Sequence, residues 1–168
     1  FEGYGQTEAA PVVTLNVPEA NKIGTIGRAL PGVEVAIWDE QDRVLPAEQI
    51  GELMVRGSNV MAGYHNLPED TAKTIVNGWL HTGDLGKMDG EGFVTITGRK
   101  KELIISAGEN IYPREIEEVL AQHPKVKECA VIGVKDEVRG EVPKAFVIPR
   151  DGETLDEKDL RQFCRDHL

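Results

Sequence analysis

Alternation dominates the first part of this chain. Val33-Glu34-Val35-Ala36-Ile37 and Gly51-Glu52-Leu53-Met54-Val55-Arg56 alternate with the period of two that marks a half-buried strand, and turn residues fill Asp39 to Asp42 between them. Trp79-Leu80 opens another strand that ends at a Thr82-Gly83-Asp84 turn, and the β-branched run Phe93-Val94-Thr95-Ile96-Thr97 leads into Gly98. Between these, Leu67-Pro68-Glu69-Asp70 starts a short helix, with proline and acids in its first turn and Ala72, Ile75 and Val76 on its apolar face. The opening FEGYGQTEAA has no periodicity and predicts a loop that places side chains. Short strands at this spacing predict a small twisted sheet or distorted barrel.

The texture changes after Lys101. Leu103-Ile104-Ile105 predicts a short buried strand, and Ser106 to Asn110 a small-residue turn leading directly into a helix. That helix runs from Pro113 to about Gln122, carries Ile116, Val119 and Leu120 on one face, and stops before Pro124. Val126–Val134 and Val142–Pro149 predict strands joined by a turn from Lys135 to Gly140. A last helix from about Asp156 places Leu160, Phe163, Cys164 and Leu168 on one side. The fold class is α+β, the second part having the order β-α-β-β-α. Gly98 to Lys101 is the natural boundary, giving 1–97, a junction at 98–101, and 102–168.

Bulk properties narrow the function. The chain has 168 residues, 40% of them hydrophobic and 29% charged, and its formal net charge is −10. That balance argues against nonspecific binding to nucleic acid or to an anionic membrane surface, both of which need a basic face. No apolar run approaches the roughly 20 residues of a membrane span. The two cysteines, Cys129 and Cys164, sit in apolar patterns that suit reduced thiols of a cytoplasmic protein, and the four histidines form no metal-ligand pair. The abrupt start at Phe1 and the ending on a helix suggest part of a longer protein.

Candidate chemistry gathers in four places. Tyr4-Gly5-Gln6-Thr7-Glu8 offers a flat ring to stack on a base, a hydroxyl for a phosphate oxygen and a carboxylate for Mg²⁺, or else it is an ordinary polar loop. Asp84 follows Gly83, where it can accept from both hydroxyls of a ribose or simply cap a turn. Arg99 can bridge ribose and phosphate with its planar fork, or sit with Lys101 as a solvated cation. Gly108 fits a positive φ or a close approach by another backbone or a thin ligand.

Taken together these residues resemble the AMP-forming adenylating superfamily: acyl-CoA synthetases, luciferases and peptide-synthetase adenylation domains. Tyr4-Gly5-Gln6-Thr7-Glu8 resembles its YGxTE motif, Gly51-Glu52-Leu53 with Gly57 and Gly63-Tyr64 its GEL…GY segment, and His81-Thr82-Gly83-Asp84 its TGD motif. Gly98-Arg99 through Glu117 is similar to the motif that opens the family's small C-terminal domain. The four segments occur in the family's order and cover almost the whole chain.

The resemblance implies that residues 1–97 complete the large AMP-binding domain, 98–101 form a hinge, and 102–168 make most of a small mobile domain. It places Glu2, Gly3 and Tyr4 around the adenine, Gly5 among the nucleotide-binding residues, Thr7 at the α-phosphate and Glu8 on Mg²⁺. Asp84 falls on the ribose with Ile96 and Arg99 beside it, Lys101 at the pivot, and Gly108 on the path of the CoA pantetheine. Ala107 stands where many relatives have glycine or serine. The implied reaction joins a carboxylic acid to CoA through ATP and an acyl-adenylate, and the fatty acyl-CoA ligases are the most similar subgroup. A phosphate loop is expected before Phe1 and a C-terminal lysine after Leu168, so these residues alone are expected not to adenylate. The alternatives are an adenylation enzyme that loads a phosphopantetheinyl carrier protein, and a noncatalytic nucleotide-binding module.

Overall fold

A computed structural model describes residues 1–168, which divide into two units, Phe1–Lys100 and Lys101–Leu168. In the first, β1 (Gly3–Gly5), β2 (Val12–Leu15) and β3 (Arg28–Ala29) form an antiparallel sheet in that order. The larger sheet takes β4 (Val33–Trp38), β5 (Gly51–Gly57), β6 (Ile75–Val76), β7 (Trp79–Met88) and β8 (Val94–Arg99). Its order is β4-β5-β7-β6, and β8 also pairs with β7. Helix α1 (Pro68–Thr74) precedes β6.

The core explains why these strands persist. Glu52, Leu53, Met54 and Val55 are buried in succession, so β5 is covered on both faces rather than on one. Ala9, Val13, Val55 and Leu80 form one cluster, and Ile37, Leu53 and Val94 another, with the Tyr4 ring packed against both. A fully buried leucine contributes about 1.5–3 kcal/mol by leaving water, which makes Leu53 and Leu80 principal anchors of this sheet.

In the second unit, β9 (Ile104–Ser106), β10 (Glu109–Ile111), β11 (Val126–Asp136) and β12 (Gly140–Pro149) form one sheet in the order β10-β9-β12-β11. Helices α2 (Pro113–Ala121) and α3 (Glu157–His167) belong to the same unit. Ile104, Leu120 and Val131 are its core, with Ile116, Leu160 and Cys164 packed around them. Both cysteines are free, and burial pushes both thiols up from their ordinary pKa. Asp156 caps α3 by accepting from the Lys158 N–H at 3.3 Å.

The α+β class stands, with local corrections. The opening segment is not all loop: it holds β1 and a 3₁₀ turn at Thr7–Ala9, because Ala9 is fully buried and Gly3–Gly5 pairs with β2. Helix α1 ends at Thr74, and Ile75 and Val76 join a strand opposite Trp79 and Leu80, where β-branched side chains fit better than in a helix. Thr82-Gly83-Asp84 is a bulge inside β7, not the end of it. Ser106 to Asn110 does not lead directly into a helix. Ala107 and Gly108, with φ of 51° and 87°, make a two-residue turn between β9 and β10, the positive-φ geometry of a type I′ hairpin. The second unit therefore reads β-β-α-β-β-α.

Candidate nucleotide site around Asp84

The bulge is what presents Asp84. Met54 pairs with His81 and Glu52 with Leu85, so Leu53 alone stands opposite Thr82, Gly83 and Asp84. Gly83 supplies the left-handed conformation, φ 74°, that the arch needs. Thr82 donates its hydroxyl to the Leu53 carbonyl at 2.7 Å, and the Asp84 N–H donates back to that hydroxyl at 3.1 Å. The Gly83 N–H donates to Glu52 Oε1 at 3.1 Å. The two peptides that flank Gly83 are therefore each held by a hydrogen bond.

The Asp84 side chain meets two of the predicted residues. Tyr4 donates its hydroxyl to Asp84 Oδ2 at 2.5 Å, and Arg99 Nε lies 3.5 Å from Oδ1. Arg99 is placed there by pairing of β8 with β7, in which it stands opposite Asp84. Burial, followed by the bond and charge of Asp84, raises the Tyr4 phenol well above its ordinary pKa. Tyr4 reaches Asp84 because Gly5 lets β1 cross close to its neighbour: a Cβ at Gly5 would sit 1.7 Å from the Pro11 carbonyl oxygen. Ile96 lies three residues before Arg99, opposite Gly86, and packs on the Ile37, Leu53 and Val94 cluster.

Other predicted residues lie around this pair or away from it. Glu2 is exposed, its carbonyl accepting from the Asn16 N–H at 2.8 Å, and Gly3 pairs with Leu15. Thr7 is exposed at the start of the 3₁₀ turn. Glu8 is half-buried and accepts from the Tyr64 hydroxyl at 2.9 Å, a bond that raises the Tyr64 phenol. The backbone around Glu8 is fixed by the Met61 N–H on its carbonyl and by the Asn59 amide on that of Ala9. Lys101 and Gly108 belong to the second unit, where both are exposed.

Three residues near the site carry no role in the sequence reading. Glu52 is 7% exposed and accepts from Lys100 Nζ at 2.8 Å, from His81 Nδ1 at 3.3 Å and from the Gly83 N–H. Burial works to raise its carboxyl pKa, but Lys100, His81 and Gly83 outweigh burial and hold it below the usual carboxylate value. Along the chain Glu52 reads as the polar position of an alternating strand, and the three consecutive apolar residues Leu53-Met54-Val55 after it are the sign that the strand is covered on both faces, where a buried carboxylate needs partners.

Known proteins similar to this chain identify its family. The AMP-binding enzyme family matches residues 1–65, and the AMP-binding enzyme C-terminal domain matches residues 115–168. The chain is 47% identical, over 99% of its length, to a long-chain-fatty-acid–CoA ligase of Bacillus subtilis, and 44% identical over its whole length to a 2-succinylbenzoate–CoA ligase of Geobacillus kaustophilus. It spans 30% and 34% of those two proteins. Among solved structures, ATP-bound MatB from Rhodopseudomonas palustris shares 40% identity with a TM-score of 0.95, matching 99% of this chain and 34% of that one. An amide bond synthetase, McbA from Marinactinospora thermotolerans, shares 39% with a TM-score of 0.90, over 99% of this chain and 34% of its own. With both family segments in order and a relative 47% identical over 99% of this chain, the chain belongs to the AMP-binding enzymes.

Proposed function

We propose that Phe1–Lys100 holds the nucleotide of ATP and of an acyl-adenylate, and that the full-length protein is an AMP-forming acid–CoA ligase. The observation that carries this reading is the Asp84 carboxylate, framed by the Tyr4 hydroxyl and the Arg99 guanidinium. Each carboxylate oxygen has more than one acceptor site, so Asp84 keeps capacity for both ribose hydroxyls beside those partners. Glu2, Gly3 and Gly5 border the adenine next to the Tyr4 ring, and Ile96 backs the ribose. Thr7, exposed at its turn, donates to an α-phosphate oxygen.

The Glu8 carboxylate is fixed through one oxygen by Tyr64 and is suited to Mg²⁺, which takes a single protein carboxylate together with phosphate oxygens. Bound there, the ion would neutralise charge on the phosphates. In the reaction, a substrate carboxylate attacks the α-phosphorus and pyrophosphate leaves. The CoA thiol then attacks the acyl carbon, and the bond to AMP breaks. In this reading residues 1–97 complete the large domain, 98–101 form the hinge with Lys101 as pivot, and 102–168 form most of the small domain, with Gly108 on the thiol's path.

The long-chain-fatty-acid–CoA ligases among the relatives support an apolar acid as substrate and a place in fatty acid metabolism; a cytoplasmic location rests on the free thiols of Cys129 and Cys164. The test is an assay of full-length protein with ATP, Mg²⁺, CoA and a panel of fatty acids. Acid-dependent release of pyrophosphate and AMP with acyl-CoA formation is expected, and no pyrophosphate with any acid would overturn the reading. The amide bond synthetase among the structural neighbours makes the acceptor the next point to test. Product on a holo-carrier or an amine but not on CoA would replace the thiol half of the proposal.

A further inference from the structure

The buried Glu52 carboxylate takes its hydrogen bonds from His81, Lys100 and the N–H of Gly83, the residue just before Asp84. A structural carboxylate in a sheet needs only enough partners to offset its burial. Glu52 draws its three from places that matter to the proposed site: the arch of the bulge, the histidine that enters it, and Lys100 at the end of β8's chain. Oε1 takes the Gly83 N–H, while Oε2 takes Lys100 and His81. One oxygen fixes the arch and the other anchors the carboxylate. Thr82 grips the Leu53 carbonyl and takes the Asp84 N–H, so the peptides before and after Gly83 are each hydrogen-bonded.

We propose that Glu52 is a positioning residue for nucleotide binding: it holds the Gly83 N–H, with Lys100 and His81 keeping it in place, and thereby aims the Asp84 carboxylate at the ribose. This rests on the reading of Asp84 given above. It assigns to a residue without contact to the nucleotide an effect that passes only through Asp84.

The measurement is AMP affinity by calorimetry on four full-length proteins: wild type, Glu52→Ala, Asp84→Ala and the double variant. Loss of the charged hydrogen bond is expected to weaken AMP about tenfold in the wild-type background. In the Asp84→Ala background the same change is expected to cost less than about twofold, because the group it aims is gone. An equal loss in both backgrounds, or no loss in either, overturns the proposal, since a merely structural Glu52 would act regardless of Asp84. If Asp84→Ala alone leaves AMP affinity unchanged, the ribose reading fails, and that result is separate from an equal loss in both backgrounds. Should Glu52→Ala not fold, Glu52→Gln keeps the shape and one acceptor oxygen. Its smaller loss is expected to show the same dependence on Asp84, and independence from Asp84 overturns the proposal equally.

Discussion

Tyr4 and Asp84, eighty positions apart, share a 2.5 Å hydrogen bond that joins the first strand of the chain to the bulge of β7. The bond joins the smaller sheet of the first unit to the larger one, and it turns a ring suited to stacking into a brace for a carboxylate. If Asp84 binds ribose, Asp84→Ala in the full-length protein should raise the apparent KM for ATP at least about tenfold, the cost of losing charged hydrogen bonds. Initial rates against ATP concentration check this, and unchanged kinetics would refute the assignment.

The same bond has a signature in alkaline solution. Tyr4 ionises above its ordinary value of 10.0 in the fold, so its contribution to stability is intact below about pH 10 and is lost as pH rises toward the folded value. Tyr64, whose phenol is also raised, behaves in the same direction. Phenolate absorbance at pH 10.5 should therefore be lower in the folded than in the denatured chain, and Tyr4→Phe should shrink that difference. An equal difference in the variant would count against the Tyr4–Asp84 brace.

Glu52 gives an acid counterpart. Its carboxyl is depressed in the fold, so the stability it contributes is present above the ordinary value of 4.5 and is lost as pH falls below it. Lys100→Met removes one of the partners that depress it. Urea midpoints from pH 7 to pH 3 should fall at a higher pH in that variant than in the wild type. Superimposable profiles would mean that Lys100 contributes nothing to holding the charge.

Gly5 is set by close approach rather than by its φ. A methyl group there would overlap the Pro11 carbonyl, so β1 and β2 would have to separate. Gly5→Ala should cost about 3 kcal/mol, at the upper end for overpacking. Gly92→Ala, where an added Cβ meets nothing within 4 Å and only the positive φ resists, should cost about 1 kcal/mol. Chemical denaturation of the two variants compares them directly, and equal losses would argue against the clash.

These 168 residues alone should show no carboxylate-dependent release of pyrophosphate, in keeping with their span of about a third of the relatives they match. A coupled pyrophosphate assay on the isolated chain decides it.

Much of the fold is legible because its signals are local. The alternation of Val33 to Ile37 and the helix face of Ile116, Val119 and Leu120 follow from spacing alone, and both elements are present. Asp84 could be singled out because a glycine precedes it. What the sequence hides is set by partners far along the chain. Tyr4 gives no hint that its hydroxyl belongs to Asp84, and Glu52 looks like the polar half of an alternating strand. The burial of Glu52, Leu53, Met54 and Val55 in succession is what shows that both faces of β5 are covered. Glu109-Asn110-Ile111 has little strand preference of its own, and becomes β10 because the turn at Ala107 and Gly108 folds it back onto β9.

The arch at Thr82-Gly83-Asp84 adds two residues to one strand against its partner, an even number. Side-chain parity is therefore the same on either side of it, so Leu80 and Leu85 keep the sides that the sheet assigns them. Length changes here should obey an odd–even rule. Deleting Gly83 alone would turn every later side chain of β7 inside out, whereas deleting Gly83 and Asp84 together would leave a regular ladder, intact in shape and stripped of its carboxylate.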